Sequence, residues 1–150
     1  MPYDSSDYVH ATKLALRDAL AAAFPTAAVY LADRDNIAAY GPDGTFCLEA
    51  ASSRTDVTAD VPAVVVGLRI WIYVEAVAGE AAEQPLTALA QKLEAVLMAA
   101  TKPGPSAQGD WLATETLQTT YLPVEKGRAR RRPYLRAART DWEVRLAACR

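Results

Sequence analysis

The 150-residue sequence has few of the residues from which catalytic and metal sites are most often built. It contains one histidine, His10, and two cysteines, Cys47 and Cys149, which are far apart and form no CxxC pair. Zinc sites and disulfide frameworks need closely spaced sets of these residues, and Cys/His catalysis needs a nucleophile with a partnered base. The sequence therefore predicts no catalytic residue, no metal site and no cofactor, and we expect a protein that is not an enzyme.

Glycine-rich loops and long apolar runs are also missing. Residues 41–44 read GPDG, which is typical of a tight turn, because a phosphate-binding loop is longer. The most apolar stretch, VPAVVVGLRIWIYVEAV, is interrupted by Arg69 and Glu75 and falls short of the ~20 apolar residues of a membrane span. The first residues are acidic and contain no apolar signal region. We expect no membrane partner and no secretion.

Positive charge is scarce over most of the chain and concentrated near its end. Residues 1–125 carry 7 Lys and Arg against 16 Asp and Glu, a net charge of −9. Residues 126–150 carry 9 against 2, a net charge of +7. Such a split indicates a nucleic-acid partner, a membrane surface, or an acidic surface on another copy of the chain.

The stretch KGRARRRPYLRAARTDWEV, residues 126–144, contains most of this charge. Six arginines are candidate contact residues: Arg128, Arg130, Arg131, Arg132, Arg136 and Arg139. They are expected to dock against acidic residues of a neighbouring copy, to contact nucleic-acid phosphates, or to form a solvated tip. Docking is favoured, because a chain whose end complements the rest of its surface can join head to tail into a ring.

Two segments have the apolar spacing of helices. The first, DYVHATKLALRDALAAAF, follows capping serines and is ended by Pro25. The second begins near Pro85, which suits the first turn of a helix, and has a stripe made of Leu86, Leu89, Leu93, Val96 and Ala100.

Five segments have the character of strands: TAAVYLA, TFCLEAAS, the apolar run that ends at Glu75, the Thr-rich WLATETLQTTYLPV, and a last strand with Trp142, Val144 and Leu146. The polar SRTDVTAD is expected to be a loop, and the basic stretch the hairpin between the last two strands. Trp71 and Tyr73 alternate with aliphatic residues, so both faces of that strand are predicted to be covered. The order α-β-β-β-α-β-β predicts one α+β domain over residues 1–150, with two helices on one face of a largely antiparallel sheet.

This order of elements resembles the tail terminator proteins of long-tailed bacteriophages. The resemblance covers most of the chain. It is carried by the Ala-rich first helix, AAVYLAD, PAVVVGLRIWIYVEA, PLTALAQKLEAVLMAA and the final pair of strands ending RTDWEVRLA. The resemblance implies a small α+β subunit that forms a hexameric ring on the tail tube, ends tube growth and provides the surface to which the capsid attaches.

The same resemblance implies a set of partners and a location. The partners are other copies of the chain, the tail-tube protein, a head-neck connector protein, and DNA that passes through the ring without sequence-specific contacts. The location is the tail or neck of a virion made in the cytoplasm of a bacterial host. The alternatives are a head-closure or tail-completion protein of the neck, or a small nucleic-acid-binding protein that uses residues 126–139.

Overall fold

The computed structural model describes residues 5–31, 37, 40–41, 43–57, 63–75, 79–99, 111–122 and 135–147. The elements in chain order are α1 (Ser5–Ala23), β1 (Ala28–Tyr30), β2 (Thr45–Asp56), β3 (Ala63–Glu75), α2 (Gly79–Ala99), β4 (Trp111–Leu122) and β5 (Leu135–Ala147). The predicted α+β class and the predicted order of elements are confirmed.

The five strands form one sheet in the order β1-β2-β3-β5-β4. β1 runs parallel to β2, and every other neighbouring pair is antiparallel, which confirms the predicted largely antiparallel sheet. β3 lies at the centre and pairs along its length with β2 and β5. Its β-branched and aromatic residues favour a strand that is buried on both sides.

Both helices pack on the same face of the sheet, which we call the helix-covered face. α1 contributes Leu16 and Leu20, and α2 contributes Leu93 and Leu97, each fully buried. Alternate residues of the strands complete this core: Phe46, Leu48, Val64, Val66, Leu68, Ile70, Ile72, Val74, Ala138, Trp142, Val144 and Leu146. Apolar residues recur about every four positions in the helices and every two in the strands. This spacing places them all in a single layer between the helices and the sheet.

One boundary in the first half of the chain differs from that expected. The predicted loop SRTDVTAD is wrong in its first part, because residues 53–56 continue β2. These residues pair with residues 63–66 of β3 beyond an irregularity between Ala50 and Ser52. Their side chains are mostly exposed, so no apolar alternation signals the strand, and the pairing depends on the apolar start of β3.

Two boundaries in the second half also differ. α2 begins at Gly79, so Pro85 lies inside the helix and not in its first turn. Residues 80–84 are mainly good helix formers, and acidic residues near a helix N-terminus are stabilising. β5 begins at Leu135, so the predicted hairpin extends too far, and Arg136 and Arg139 belong to a strand.

A tight turn at Gly44 brings β2 under α2. The Gly44 N–H donates to the Gly41 carbonyl oxygen at 3.3 Å, which closes the turn predicted for the GPDG sequence. Gly44 has φ of 117°, a conformation that other residues rarely adopt, and a Cβ there would lie 2.6 Å from Leu89 of α2. Glycine is therefore required both for the turn and for the close approach of the helix.

Candidate functional site

The sheet surface opposite the helices, which we call the second face, carries most of the polar side chains that the strands position together. In β3 it is formed by Gly67, Arg69, Trp71 and Tyr73, which alternate with the residues of the helix-covered face. β2 and β5 place Glu49, Asp141 and other charged residues beside them. This face divides into an apolar end, a central depression and a charged end.

The apolar end contains the two aromatic residues singled out in the sequence. Trp71 and Tyr73 are 7% and 1% exposed and form a cluster with Cys47 and Leu135. Tyr40, from the connection between β1 and β2, packs its ring at 74° to that of Tyr73 with 5.4 Å between the ring centroids. The same chain therefore supplies part of the layer that covers these aromatic residues.

Trp71 connects this apolar end to the charged residues of the face. Its indole Nε1 donates to Glu49 Oε2 at 2.6 Å. The guanidinium carbon of Arg139 lies 5.7 Å from the centroid of the Trp71 ring, and Arg139 Nε donates to Asp141 Oδ2 at 3.2 Å. A buried indole N–H with a carboxylate acceptor and a cation over the ring fixes the orientation of Trp71.

The structure separates the two candidate arginines that it describes. Arg139 lies on the second face beside Trp71, whereas Arg136 is opposite Val74 on the helix-covered side of β5. The Nε of Arg136 is buried and has no hydrogen-bond partner. Alternation along β5 thus places these two arginines on opposite faces of the sheet. The other four, Arg128, Arg130, Arg131 and Arg132, lie outside the described residues.

The charged end of the second face is held by Arg145 of β5. Its guanidinium donates to Glu115 of β4 and lies 2.9 Å from an Asp56 carboxylate oxygen of β2. Arg54 Nη2 donates to the other Glu115 oxygen at 3.0 Å. The hydrogen bond to Glu115, and to a smaller extent that to Asp56, raises the pKa of Arg145. The guanidinium therefore remains charged at any ordinary pH. These four residues link both outer parts of the sheet across β3.

Between the two ends the second face contains a depression of about 310 Å³. Gly67 forms its floor, and a Cβ at this position would collide with the Ser52 hydroxyl. Asp141, Arg139 and Arg69 lie on one side, with Arg69 Nε 3.9 Å from Asp141. Glu143 lines the depression as well. Mixed charges around a shallow floor suit contact with polar groups of another macromolecule better than enclosure of a small molecule.

A second cleft, of about 490 Å³, lies on the helix side between the end of α1 and the first half of α2. Its lining is mainly apolar and includes Phe24 and Leu89, and the Lys92 ammonium is 4.8 Å from the centroid of the Phe24 ring.

His10 is exposed on α1 and Cys47 is fully buried in the sheet. Among the described residues, no group of three or more His, Cys, Asp and Glu side chains could hold a metal ion.

The cluster around Arg145 is not evident from the sequence. Asp141, Glu143 and Arg145 alternate with apolar residues, which predicts that they share one face of a strand. The partners come from β2 and β4, so the cluster could be found only by knowing that β5 is placed between β3 and β4. The irregularity of β4 between Thr114 and Thr116, where Glu115 is located, also has no signature in the sequence.

Comparison with known proteins gives a structural match. No protein-family model matches the sequence, and no curated protein does. Twelve chains of solved structures match the fold. One of them belongs to the virion of a native gene transfer agent particle, with a TM-score of 0.60 and 16% sequence identity. The match covers 98% of this chain and 100% of that chain.

The chain therefore has the fold of a component of that virion over essentially its whole length. An identity of 16% establishes the fold and leaves the function to be argued from the residues. In the ranges that the structure describes, neither helix has the length and apolar character needed to cross a bilayer.

Proposed function

We propose that the protein is a structural component of a phage or phage-like virion. The observation that supports this most strongly is the match with a chain of a gene transfer agent virion, which extends over 98% of this chain and all of the other. Agreement over two whole chains means that the complete arrangement of elements is shared, and not a common substructure alone. The proposed role is assembly with other virion proteins.

Within the virion, the proposed role is that of a tail terminator. The chain would form a ring, a hexamer by analogy with the proteins it resembles, on the end of the tail tube. There it would stop tube growth and present a surface to a head-neck connector protein, with DNA passing through the ring. The resemblance in sequence segments supports this role, and so does a charge split of −9 against +7 between the two parts of the chain.

Deletion of the gene in the phage or prophage that encodes the chain tests this role. Loss of a tail terminator should give tail tubes of uncontrolled length that do not join capsids, as measured by electron microscopy. Restoration by the gene in trans is the control. Tails of normal length that fail to join capsids would instead indicate a head-closure or tail-completion protein, and normal infectious particles would contradict a virion role.

The arginines of residues 128–132 provide a second test, at the level of assembly. If they dock against acidic residues of the adjacent subunit, replacement of Arg128, Arg130, Arg131 and Arg132 by serine should shift the protein toward monomers in light scattering. Added salt should have the same effect on the unmodified protein, because it screens the attraction.

A matched variant with lysine at the same four positions separates charge from side-chain size. It should assemble better than the serine variant, since the positive charges are kept, and less well than the unmodified protein, since the planar guanidinium groups are lost. If the serine variant keeps its oligomeric size at all salt concentrations and loses DNA binding, the arginines face DNA and the docking proposal is wrong. Salt-sensitive DNA binding by a monomeric unmodified protein would indicate a nucleic-acid-binding protein instead.

A further inference from the structure

β4 forms one edge of the sheet and has an unusual composition for an edge strand. Within the described residues it pairs with β5 alone, so the hydrogen-bonding groups on its other side have no strand partner. Residues 116–122 read TLQTTYL, with no charge, no proline and no glycine. Thr116, Gln118 and Tyr121 are exposed there.

Edge strands are normally protected against pairing with other chains. Protection comes from short length, charged or proline residues, or bulges. The opposite edge, β1, is only 3 residues long. The irregularities of β4 fall at its beginning, between Trp111 and Ala113 and between Thr114 and Thr116, and its only charged residue, Glu115, is in the same part. The remaining seven residues lack these protections.

The unprotected segment is complementary to itself in an antiparallel arrangement. Full overlap of residues 116–122 with the same residues of a second copy places Thr119 opposite its own equivalent. Leu117 then lies opposite Tyr121 of the other copy, and Gln118 lies opposite Thr120. Cross-strand pairs of an aromatic and an aliphatic residue are favourable, and this register brings no like charges together.

Exposed apolar side chains on this side of the molecule agree with such a contact. Leu117 is opposite Trp142 and Tyr121 is opposite Ala138 in β5, so both point to the helix side of the sheet. Tyr121 is nevertheless 47% exposed. Met98, 58% exposed, follows Leu97, whose carbonyl oxygen accepts a hydrogen bond from Thr114 of β4. These are two of the three large apolar residues found exposed in the described part of the chain.

We propose that residues 116–122 of β4 pair antiparallel with the same residues of a second copy of the chain, around a two-fold axis at Thr119. The contact extends the sheet across two subunits and covers Tyr121 with Leu117 of the other copy. It goes beyond the proposed function, because a two-fold contact is distinct from the head-to-tail contacts that close a ring. Failure of either proposal leaves the other unchanged.

Cysteine pairs test the register directly. The background is Cys149→Ser, and Cys47 is fully buried. Under mild oxidation, Thr119→Cys alone should give a covalent dimer on a denaturing gel, since directly opposite Cβ atoms are ~4.5–5.5 Å apart. Gln118→Cys alone and Thr120→Cys alone should give no covalent dimer. A mixture of these two variants should give one, because residue 118 of one copy lies opposite residue 120 of the other. This pattern reports the β4 contact even when the protein is also part of a ring.

A charge variant provides a second measurement that does not depend on oxidation. Tyr121→Lys should weaken the two-fold contact at least tenfold in sedimentation or light scattering, because a lysine would lie against an apolar residue of the other copy. Val57→Lys is the control, since Val57 is 81% exposed and directly follows the end of β2, away from β4 in the sheet order. Covalent dimers from neither Thr119→Cys nor the mixture would overturn the proposal. So would equal crosslinking by Gln118→Cys alone, or equal effects of the two lysine variants.

Discussion

On the helix-covered face, β3 presents Val66, Leu68 and Ile70, all at most 1% exposed, to α1 and α2. On the second face the same strand presents Gly67, Arg69 and Trp71. One segment of chain thus contributes to two surfaces with different chemistry. The first is a continuous apolar layer, and the second combines an aromatic cluster, a depression and charged residues.

The two faces therefore differ in role. The helix-covered face stabilises the fold, and the second face is a surface that can contact other molecules. Burial of apolar side chains is the main favourable contribution to folding, and it is concentrated under the helices. Partly exposed ion pairs contribute only modestly to stability, so the charged end of the second face adds less to the fold than the apolar layer does. Its polar groups lie at the surface, where they can contact a neighbouring molecule, which agrees with the proposed role in virion assembly.

The largest expected effect comes from the helix-covered face. Trp142 is fully buried and its indole N–H donates to Thr114 at 3.0 Å. Trp142→Ala should lower the free energy of unfolding by about 3–5 kcal/mol in urea denaturation, because it leaves a large cavity. Glu143→Ala, one residue away on the second face, is the matched control and should change it by less than about 0.5 kcal/mol. Equal losses of unfolding free energy for the two variants would show that the helix-covered face does not contribute more to stability than the second face.

An intermediate effect is expected at the apolar end of the second face. Trp71→Phe keeps an aromatic ring but removes the hydrogen bond to Glu49. The free energy of unfolding should fall by about 2 kcal/mol, since the bond is to a carboxylate and largely shielded from water. Glu49→Gln, which keeps an oxygen acceptor, should lower the free energy of unfolding by less than Trp71→Phe does. A loss as large as that of Trp142→Ala would place both aromatic residues in one common core.

A smaller effect, and one that depends on salt, is expected at the charged end. Glu115→Gln keeps the shape of the side chain and removes the charge shared by Arg145 and Arg54. The urea midpoint should fall by less than for Trp71→Phe, and the difference from the unmodified protein should shrink at ~1 M salt, where the Debye length is ~3 Å. Glu143→Gln is the control and should show no such salt dependence. A difference that persists at high salt would contradict an electrostatic origin.

The smallest effect is expected at His10. This residue is exposed on α1, away from both clusters. His10→Ala should leave the unfolding free energy within about 0.5 kcal/mol and the biological activity, measured as virion titre, within a few-fold. Loss of titre with fold and assembly intact would identify a chemical role for the histidine and contradict the expectation that the protein is not an enzyme.

The sequence predicted the helix-covered face well because that face depends on local periodicity. Leu16 and Leu20 of α1 and Ile70 and Ile72 of β3 follow helical and strand spacing, and all four are fully buried. Periodicity gives no information on which strands become neighbours. The meeting of Arg145 with Asp56 and Glu115 depends on the strand order, so this cluster was not predicted.

The predicted strand boundaries were wrong for a related reason. The exposed end of β2 has no apolar alternation, and its extension to Asp56 depends on pairing with Ala63. The sequence predicts one hairpin for the basic stretch, but β5 includes Arg136 and Arg139 and directs them to opposite sides of the sheet. A high density of charge in the sequence does not show that the charges share a surface.

Tube assembly in vitro tests the proposed role most directly. Purified tail-tube protein is polymerised with increasing amounts of this chain, and tube lengths are measured by electron microscopy. A tail terminator should bind at one end of each tube and shorten the length distribution in proportion to its concentration, with labelled chain found only at tube ends. A length distribution that is unchanged at a ratio of one ring per tube, with no chain at the ends, would contradict the account.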